Sequence, residues 1–456
     1  MTQAFRSTRV VTPEGLVPAT LLVEQGRIAE VCGWNQAPAT AAVQDFGDLV
    51  VLPGLVDSHV HINDPGRDWE GFATATRAAA SGGVTTLVDM PLNSLPETTS
   101  VDALKAKRKA AQGSAWVDWA AWGGVVRGNS AELPALAAAG LPGFKCFLIH
   151  SGIDGFEWVD ETELRLALAQ LHGAALDGVR LPLLAHAEIA GPVNAATGAL
   201  HADGADWRKY STYLASRPDA AEVEAIELLI RLAEEFDLSI HIVHLSSTQA
   251  LPLLAAARLN GIPISVETCA HYLWFAADEI PDGATEYKCA PPIRDTANRE
   301  TLWAALEAGL IDMVTTDHSP CPPVMKDREE GRWDCAWGGI SSLGLALSVV
   351  WTAMQQRSLR LEKLAQWMAA SPAQLAGLSD QKGALVPGAD ADFVVFDPDA
   401  AWRVKPADLH FRHKVSPYLG AELRGRVQET WLRGERVFSL HDGFSGAARG
   451  RELARQ

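Results

Sequence analysis

Apolar and polar positions change rhythm three times along the chain. Near the start, Ala19-Thr-Leu-Leu-Val23, Glu24-Gln25-Gly26 and Arg27-Ile-Ala-Glu-Val31 predict a β-hairpin closed by a glycine turn. The same texture returns near the end. There Asp392-Phe-Val-Val-Phe396 predicts a strand, and Glu429-Thr-Trp-Leu432, Arg433-Gly434-Glu435 and Arg436-Val-Phe438 predict a second hairpin. Between them, short runs rich in β-formers recur at Gly54–His61, Val84–Met90, Ala115–Trp122, Gly143–Leu148, Leu181–Ala187, Ser239–Leu245, Pro263–Cys269 and Ile311–Asp317. Most are separated by Ala/Leu/Glu-rich stretches of helical period, such as Asp219–Phe236 and Thr296–Gly309.

Eight strand–helix units over about 330 residues have the size and rhythm of a (β/α)8 TIM barrel. The competing architecture, a doubly wound open sheet, leads one to look for a glycine-rich phosphate turn after an early strand. The chain has no GxGxxG in that context, no GxxxxGK[ST] and no GxSxG nucleophile elbow. The expected fold class is therefore α/β. Residues 53–380 form the barrel, and residues 1–52 and 381–456 form a small discontinuous β-sandwich module that ends in a C-terminal tail.

Composition narrows the class of activity. The 456 residues include 39 basic and 56 acidic side chains, a net charge of −17, which repels phosphate backbones and anionic lipid heads. Nucleic acid and membrane are thus excluded as expected partners. Six cysteines are scattered without a CxxC pair, and the N-terminus lacks an apolar signal core, so a reducing, cytoplasmic setting is expected. The uncharged stretch from Cys335 to Gln356 contains Gly338-Gly339 and reads as a loop entering a buried helix.

Active-site groups of a barrel sit at the C-terminal ends of its strands. Of thirteen histidines, four lie at those ends: His59, His61, His186 and His244. His59 and His61 are two apart on an extended run, so they share a face with Cβ atoms roughly 7 Å apart, within reach of one metal. Asp317 closes the eighth strand as an acid after an apolar run, and a buried carboxylate needs a cation or hydrogen bonds. Four imidazoles and a carboxylate exceed the needs of one tetrahedral zinc, which points to two metals. Lys145 lies near the end of the fourth strand, and by residue type alone reads as an ordinary ion-paired lysine. His241, three residues before His244, is expected on the opposite face of its strand. His150, His271 and His318 are near strand ends and are candidates for supporting the ligands, whereas His172, His201, His410, His413 and His441 are expected to be structural or solvated.

These residues resemble the amidohydrolase superfamily: Leu52-Pro-Gly-Leu-Val-Asp-Ser-His-Val-His61, Gly143-Phe-Lys145-Cys, Ala185-His186-Ala-Glu188, Val243-His244-Leu-Ser-Ser247, Thr316-Asp317-His-Ser-Pro320 and Lys382-Gly-Ala-Leu-Val-Pro-Gly-Ala-Asp-Ala-Asp392. Within it the chain is similar to the cyclic-amidase branch of dihydroorotases, hydantoinases/dihydropyrimidinases and allantoinases. The match to the allantoinase family rests on His61-Ile-Asn63-Asp-Pro-Gly-Arg67, Asp89-Met-Pro-Leu-Asn93-Ser and Lys288-Cys-Ala-Pro-Pro-Ile-Arg294. The resemblance implies two Zn2+ ions, with Co2+ or Mn2+ as substitutes. His59 and His61 would hold one and His186 and His244 the other. Lys145 as N6-carboxylysine would bridge them, and Asp317 would serve as ligand and catalytic proton shuttle. It also implies a homotetramer.

The resemblance further implies ring-opening hydrolysis of a cyclic amide, (S)-allantoin to allantoate. Hydantoinase-type activity, or a non-catalytic scaffold homologue, are the alternatives. Dihydroorotase-like chains carry an Arg two residues after the HxH pair and an Asn before the Pro-Pro pair, both serving a substrate carboxylate. Here those places hold Asn63 and Ala290, which suits an uncharged, ureido-rich small molecule. Asn63 and Ser319 are the expected substrate contacts. The loop between Arg67 and Trp69 is one residue shorter than in the allantoinase pattern.

Overall fold

The computed structural model describes residues 2–173 and 180–455. Five strands come first: β1 (Gln3–Thr12), β2 (Gly15–Glu24), β3 (Arg27–Gly33), β4 (Ala42–Asp45) and β5 (Val50–Pro53). Nine follow in the middle of the chain: β6 (Leu55–Val60), β7 (Val84–Asp89), β8 (Asp118–Ala121), β9 (Gly123–Gly124), β10 (Phe144–Phe147), β11 (Leu183–His186), β12 (Ile240–Ile242), β13 (Ile264–Cys269) and β14 (Met313–Thr315). The last four are β15 (Phe393–Arg403), β16 (Glu422–Leu432), β17 (Glu435–Ser439) and β18 (Gly443–Phe444).

The middle strands close into a barrel. β6, β7 and β8 pair in parallel, and so do β9 through β14 in chain order. Only Trp122 separates β8 from β9, so the two are one interrupted strand that joins the halves. On the other side Val60 bridges to His318, and the His61 N–H donates to the His318 carbonyl at 2.8 Å. Each of the eight predicted runs contributes a strand. Alternation sorts their side chains: Leu87, Trp119, Phe144 and Leu183 enter the main apolar core, whereas Val88, Ala120 and Leu184 join a second cluster with Trp122 and Leu453. The helices Asp219–Phe236, Thr296–Glu307 and Ala346–Gln356 lie where the sequence predicts helix. The last is largely buried, and no helix among the described residues is long and apolar enough to cross a membrane.

The terminal strands form one nine-stranded sheet, and the two ends of the chain meet where β5 runs antiparallel to β15, with Val51 opposite Val395. Phe5, Phe393 and Trp431 pack together at its centre, with Phe5–Trp431 ring centroids 4.9 Å apart. Both predicted hairpins form. Gln25 and Gly26, and likewise Arg433 and Gly434, all take positive φ, the backbone that a tight antiparallel turn requires.

Beyond this sheet the last residues return to the barrel. The Trp119 N–H donates to the Arg451 carbonyl at 3.0 Å, and the Leu453 N–H to the Trp119 carbonyl at 2.7 Å. The tail thus pairs along β8. Asp118, at the start of β8, receives the Arg451 N–H at 2.9 Å, the Lys382 ammonium at 2.7 Å and the Arg433 guanidinium. Asp390 and Asp392 complete this buried network, balancing three cations with three carboxylates.

Candidate metal centre and active site

The barrel strands deliver the six expected groups to one place. His59 lies near the end of β6 and His61 directly follows it, Lys145 sits on β10, His186 is the last residue of β11, and His244 and Asp317 follow β12 and β14 by two residues. All six are buried. His244 and Asp317 hold positive φ of 40° and 43°, strained for non-glycine residues and concentrated where the strands give way to the site.

Two pairs of imidazoles result. The Nε2 atoms of His59 and His61 each lie 3.4 Å from the same oxygen, Oδ1 of Asp317. His186 Nδ1 lies 3.0 Å from His244 Nε2. For two of the rings, His59 and His186, a carboxylate fixes which nitrogen keeps its lone pair. Glu267 accepts a hydrogen bond from His59 Nδ1–H and so leaves Nε2 with the lone pair. Glu188 accepts one from His186 Nε2–H at 2.9 Å and leaves Nδ1 with the lone pair, while Arg217 grips Glu188 through two hydrogen bonds of 2.9 and 2.5 Å. Asn93 lies behind His61, with its amide nitrogen 3.4 Å from Nδ1.

Lys145 is the unusual member. Its side chain is fully buried, and its Nζ has no hydrogen-bond partner. Burial lowers the ammonium to about 8, against the opposing pull of Glu267. Burial likewise lowers His186 to about 4. Burial pushes the Asp317 carboxyl up, but the His59 and His61 rings outweigh it and hold the group well below the usual carboxylate range. A buried amine without a partner, near two pairs of imidazoles and a carboxylate, fits a site that takes divalent cations.

His59, His61, His186, His244 and Asp317 line a cavity of about 400 Å3. Ser319, Asn93 and Lys288 contribute to its wall; Asn63 does not. Asn63 is buried, and its amide donates to the Pro320 carbonyl at 3.3 Å, so its placement is that of a turn residue and not of a cavity-facing one. Residues Ala336–Gly339 form the opposite wall. Lys288 Nζ donates to the Ala336 carbonyl at 2.6 Å, and Lys326 Nζ donates to the Trp337 carbonyl at 3.0 Å and to that of Gly339. A Cβ on Gly339 would meet the Ser319 carbonyl at 2.4 Å, so this wall requires glycine. Arg67 stacks on Trp69 at 4.6 Å, and Trp69 packs edge-on against Trp337 at 4.8 Å, which carries the shortened loop onto the same wall.

One expectation is corrected. Strand alternation put His241 on the opposite face from His244. Instead His241 Nε2 lies 3.2 Å from Glu267 Oε2, and the His244 N–H donates to Glu267 Oε1 at 3.2 Å. β12 ends at Ile242, and the positive φ at His244 breaks the alternation, so both residues meet one carboxylate. Glu267 and Lys326 escaped the sequence reading. Glu267 had a signal, an acid inside the otherwise uncharged strand Ile264–Cys269; Lys326 had none. Of the other candidates, His318 accepts the Ser342 and Leu343 N–H groups at Nδ1 and faces Glu70 at 3.5 Å, His150 is exposed at the cavity rim, and His271 is buried beside Asp317. All six cysteines are free thiols.

Comparison with known proteins agrees with this geometry. The model of the amidohydrolase family matches residues 50–437. The chain is 48% identical to an allantoinase from Streptomyces avermitilis, over 99% of this chain and 98% of that one. It is 39% identical to an allantoinase from Saccharomyces cerevisiae, again over 99% and 98%. Among solved structures, the L-hydantoinase (dihydropyrimidinase) from Arthrobacter aurescens superposes with a TM-score of 0.92 at 30% identity, covering 100% of both chains. A family match over most of the length, joined to the histidine, lysine and aspartate positions at the barrel mouth, makes this chain a member of the amidohydrolase family.

Proposed function

We propose that this protein is an allantoinase, which adds water across the cyclic amide of allantoin and opens the ring to allantoate. The observation that carries the chemistry is the convergence of four imidazoles and Asp317 on one cavity, with the buried, unpartnered Lys145 close enough to influence His186 and His244. The near full-length similarity to allantoinases supports the choice of ring. So do the residue types at Asn63 and Ala290, which replace the Arg and Asn of the dihydroorotase-like pattern.

His59 and His61 would hold one divalent cation in this reading, and His186 and His244 the other. Lys145 would contribute to the same centre as a carbamate, formed when its free amine adds to CO2 with a new N–C bond and loss of one proton. When bound, the cations supply Lewis-acid polarisation of the ring carbonyl and acidify the attacking water. Asp317 accepts the proton that this water loses as the C–O bond forms. It then returns the proton to the ring nitrogen as the C–N bond breaks. Glu267 and Glu188 keep the imidazoles in the required tautomers. Ser319 and the clamped Ala336–Gly339 wall orient the substrate's amide groups.

A ring-opening assay over allantoin, hydantoin, dihydrouracil and dihydroorotate tests the reading. Allantoin should give the highest kcat/KM. Preference for hydantoin would favour the second reading, which the Arthrobacter aurescens likeness supports, and preference for dihydroorotate would refute the argument from Asn63 and Ala290. No turnover of any ring with two metals bound would favour a scaffold role. Zinc as the metal, the cytoplasm as the setting and a tetramer as the assembly complete the proposal. They are read by metal analysis, cell fractionation and sedimentation.

A further inference from the structure

A hydrolysable ring amide is common to allantoin, hydantoin and dihydrouracil, so a choice among them has to come from the rest of the cavity. Besides histidines, two cationic side chains line it, Arg217 and Lys288. Arg217 is engaged by Glu188. Lys288 forms no ion pair among the described residues. Its Nζ donates to the Ala336 carbonyl at 2.6 Å and lies 5.2 Å from the centre of the Tyr213 ring. An ammonium carries three N–H donors, so donors remain after that bond. Burial, reinforced by Arg217 and Lys326, lowers the group to about 7, as befits a cation held without a counter-charge. The backbone around it is fixed: the Gly339 N–H donates to the Lys288 carbonyl at 2.7 Å, and the Lys288 N–H to the Thr285 carbonyl at 3.1 Å. The Ala336 carbonyl has two lone pairs, and Lys288 uses one of them. A donor and an acceptor thus stand side by side on the cavity wall. A urea presents the complement, a carbonyl oxygen next to an N–H.

We propose that Lys288 is a specificity-determining residue that reads the ureido tail of the substrate: its ammonium donates to the tail carbonyl while the Ala336 carbonyl accepts a tail N–H. Allantoin carries this tail, and hydantoin and dihydrouracil lack it. With either of those rings bound, the spare donors of Lys288 are shut in the cavity unmet, which disfavours them relative to the ureido ring. A carboxylate would also satisfy the ammonium, but it offers no N–H to Ala336, so the pair favours a urea over an acid. The inference rests on the proposed function and names the group that selects its substrate.

The test measures kcat/KM of metal-loaded wild type, Lys288→Met and Lys288→Gln with allantoin, with hydantoin and with hydantoin-5-acetic acid, whose tail ends in a carboxylate. Methionine keeps the length of the stem and removes every donor, whereas glutamine keeps an N–H donor. Lys288→Met should lower kcat/KM for allantoin about 10–100-fold, mostly through KM, and change that for hydantoin by less than about threefold, at unchanged metal content. Lys288→Gln should show the same selectivity at smaller size, and decides the matter alone if the methionine variant does not fold. Equal losses for allantoin and hydantoin would mean that Lys288 only braces the wall, and a loss concentrated in the acid would make it a carboxylate site. Either result overturns the proposal, as does an unchanged value for allantoin. Wild type that does not open allantoin at all would overturn the proposed function, and this inference with it. Wild type that opens allantoin beside an unselective Lys288→Met would overturn this inference alone.

Discussion

Lys145 concentrates the residue-scale argument. An unpartnered amine in a fully buried position is unfavourable as an end in itself, and burial that lowers it to about 8 raises the fraction of free amine available to CO2. Lys145→Ala should therefore abolish ring opening, and millimolar short carboxylic acids should restore part of it by standing in for the carbamate. Failure of every acid tried, in a variant that still folds, would count against the bridging role. Glu267 makes a second residue-scale prediction. It holds His59 Nδ1, His241 and the His244 backbone at once, so Glu267→Gln should weaken metal binding about 10–100-fold, as read by chelator competition.

The His186–Glu188–Arg217 chain sets a pH dependence. Burial lowers His186 from 6.5 to about 4, so the unfolded chain binds more protons between those values and stability falls as pH drops through that window. Burial opposes the charge on Glu188, but Arg217 and His186 outweigh it and hold the carboxyl at about 2, so its share of stability is present above 4.5 and lost as pH falls from 4.5 toward 2. Thermal unfolding of the metal-free chain across pH 7 to 2 should show both losses. Glu188→Gln should remove the lower one, and an identical slope in that variant would contradict the assignment.

At the scale of elements, the tail after β18 acts as an extra strand at the lower edge of β8. A Cβ on Gly450 would meet the Val117 carbonyl at 1.9 Å, and Leu453 is buried in the cluster that includes Phe147, whose ring stacks on His186 with centroids 4.4 Å apart. Deleting residues 450–456 removes that burial, worth about 2 kcal/mol, together with backbone hydrogen bonds of about 1 kcal/mol each. A lowered Tm should result for the deletion and, through the clash alone, for Gly450→Ala. An unchanged Tm in both would show that the tail only rests on the barrel. The elements themselves were readable in advance, because strands covered on both sides read as apolar runs and the Gln25-Gly26 and Arg433-Gly434 turns mark their hairpins. The tail was not readable as a strand. Gly450-Arg-Glu-Leu-Ala454 carries no alternation, and its pairing depends on an edge of β8 that exists only after the barrel closes.

For the whole molecule, the proposed cations join groups from five barrel strands or their ends, so their removal should be felt in stability as well as in turnover. Stripping metal should abolish activity and lower Tm, and returning a divalent ion with bicarbonate should restore both. Restoration by the ion alone in CO2-free buffer would argue against a carbamate on Lys145. The net charge of −17 includes carboxylates committed to this interior, among them Asp317, Glu267 and Glu188 at the site and the Asp118–Asp390–Asp392 network beneath it.

By itself the sequence determined the eight strands, the two hairpins and the placing of His59, His61, Lys145, His186, His244 and Asp317 near strand ends, since local period and turn chemistry are written in neighbouring residues. Only the tertiary structure decided which nitrogen His59 and His186 offer, that His241 and His244 share Glu267, that Asn63 turns to Pro320 and that His271 is left without a partner. Those facts depend on side chains brought together across many residues of chain, and on left-handed backbone at His244 and Asp317 that no strand alternation anticipates.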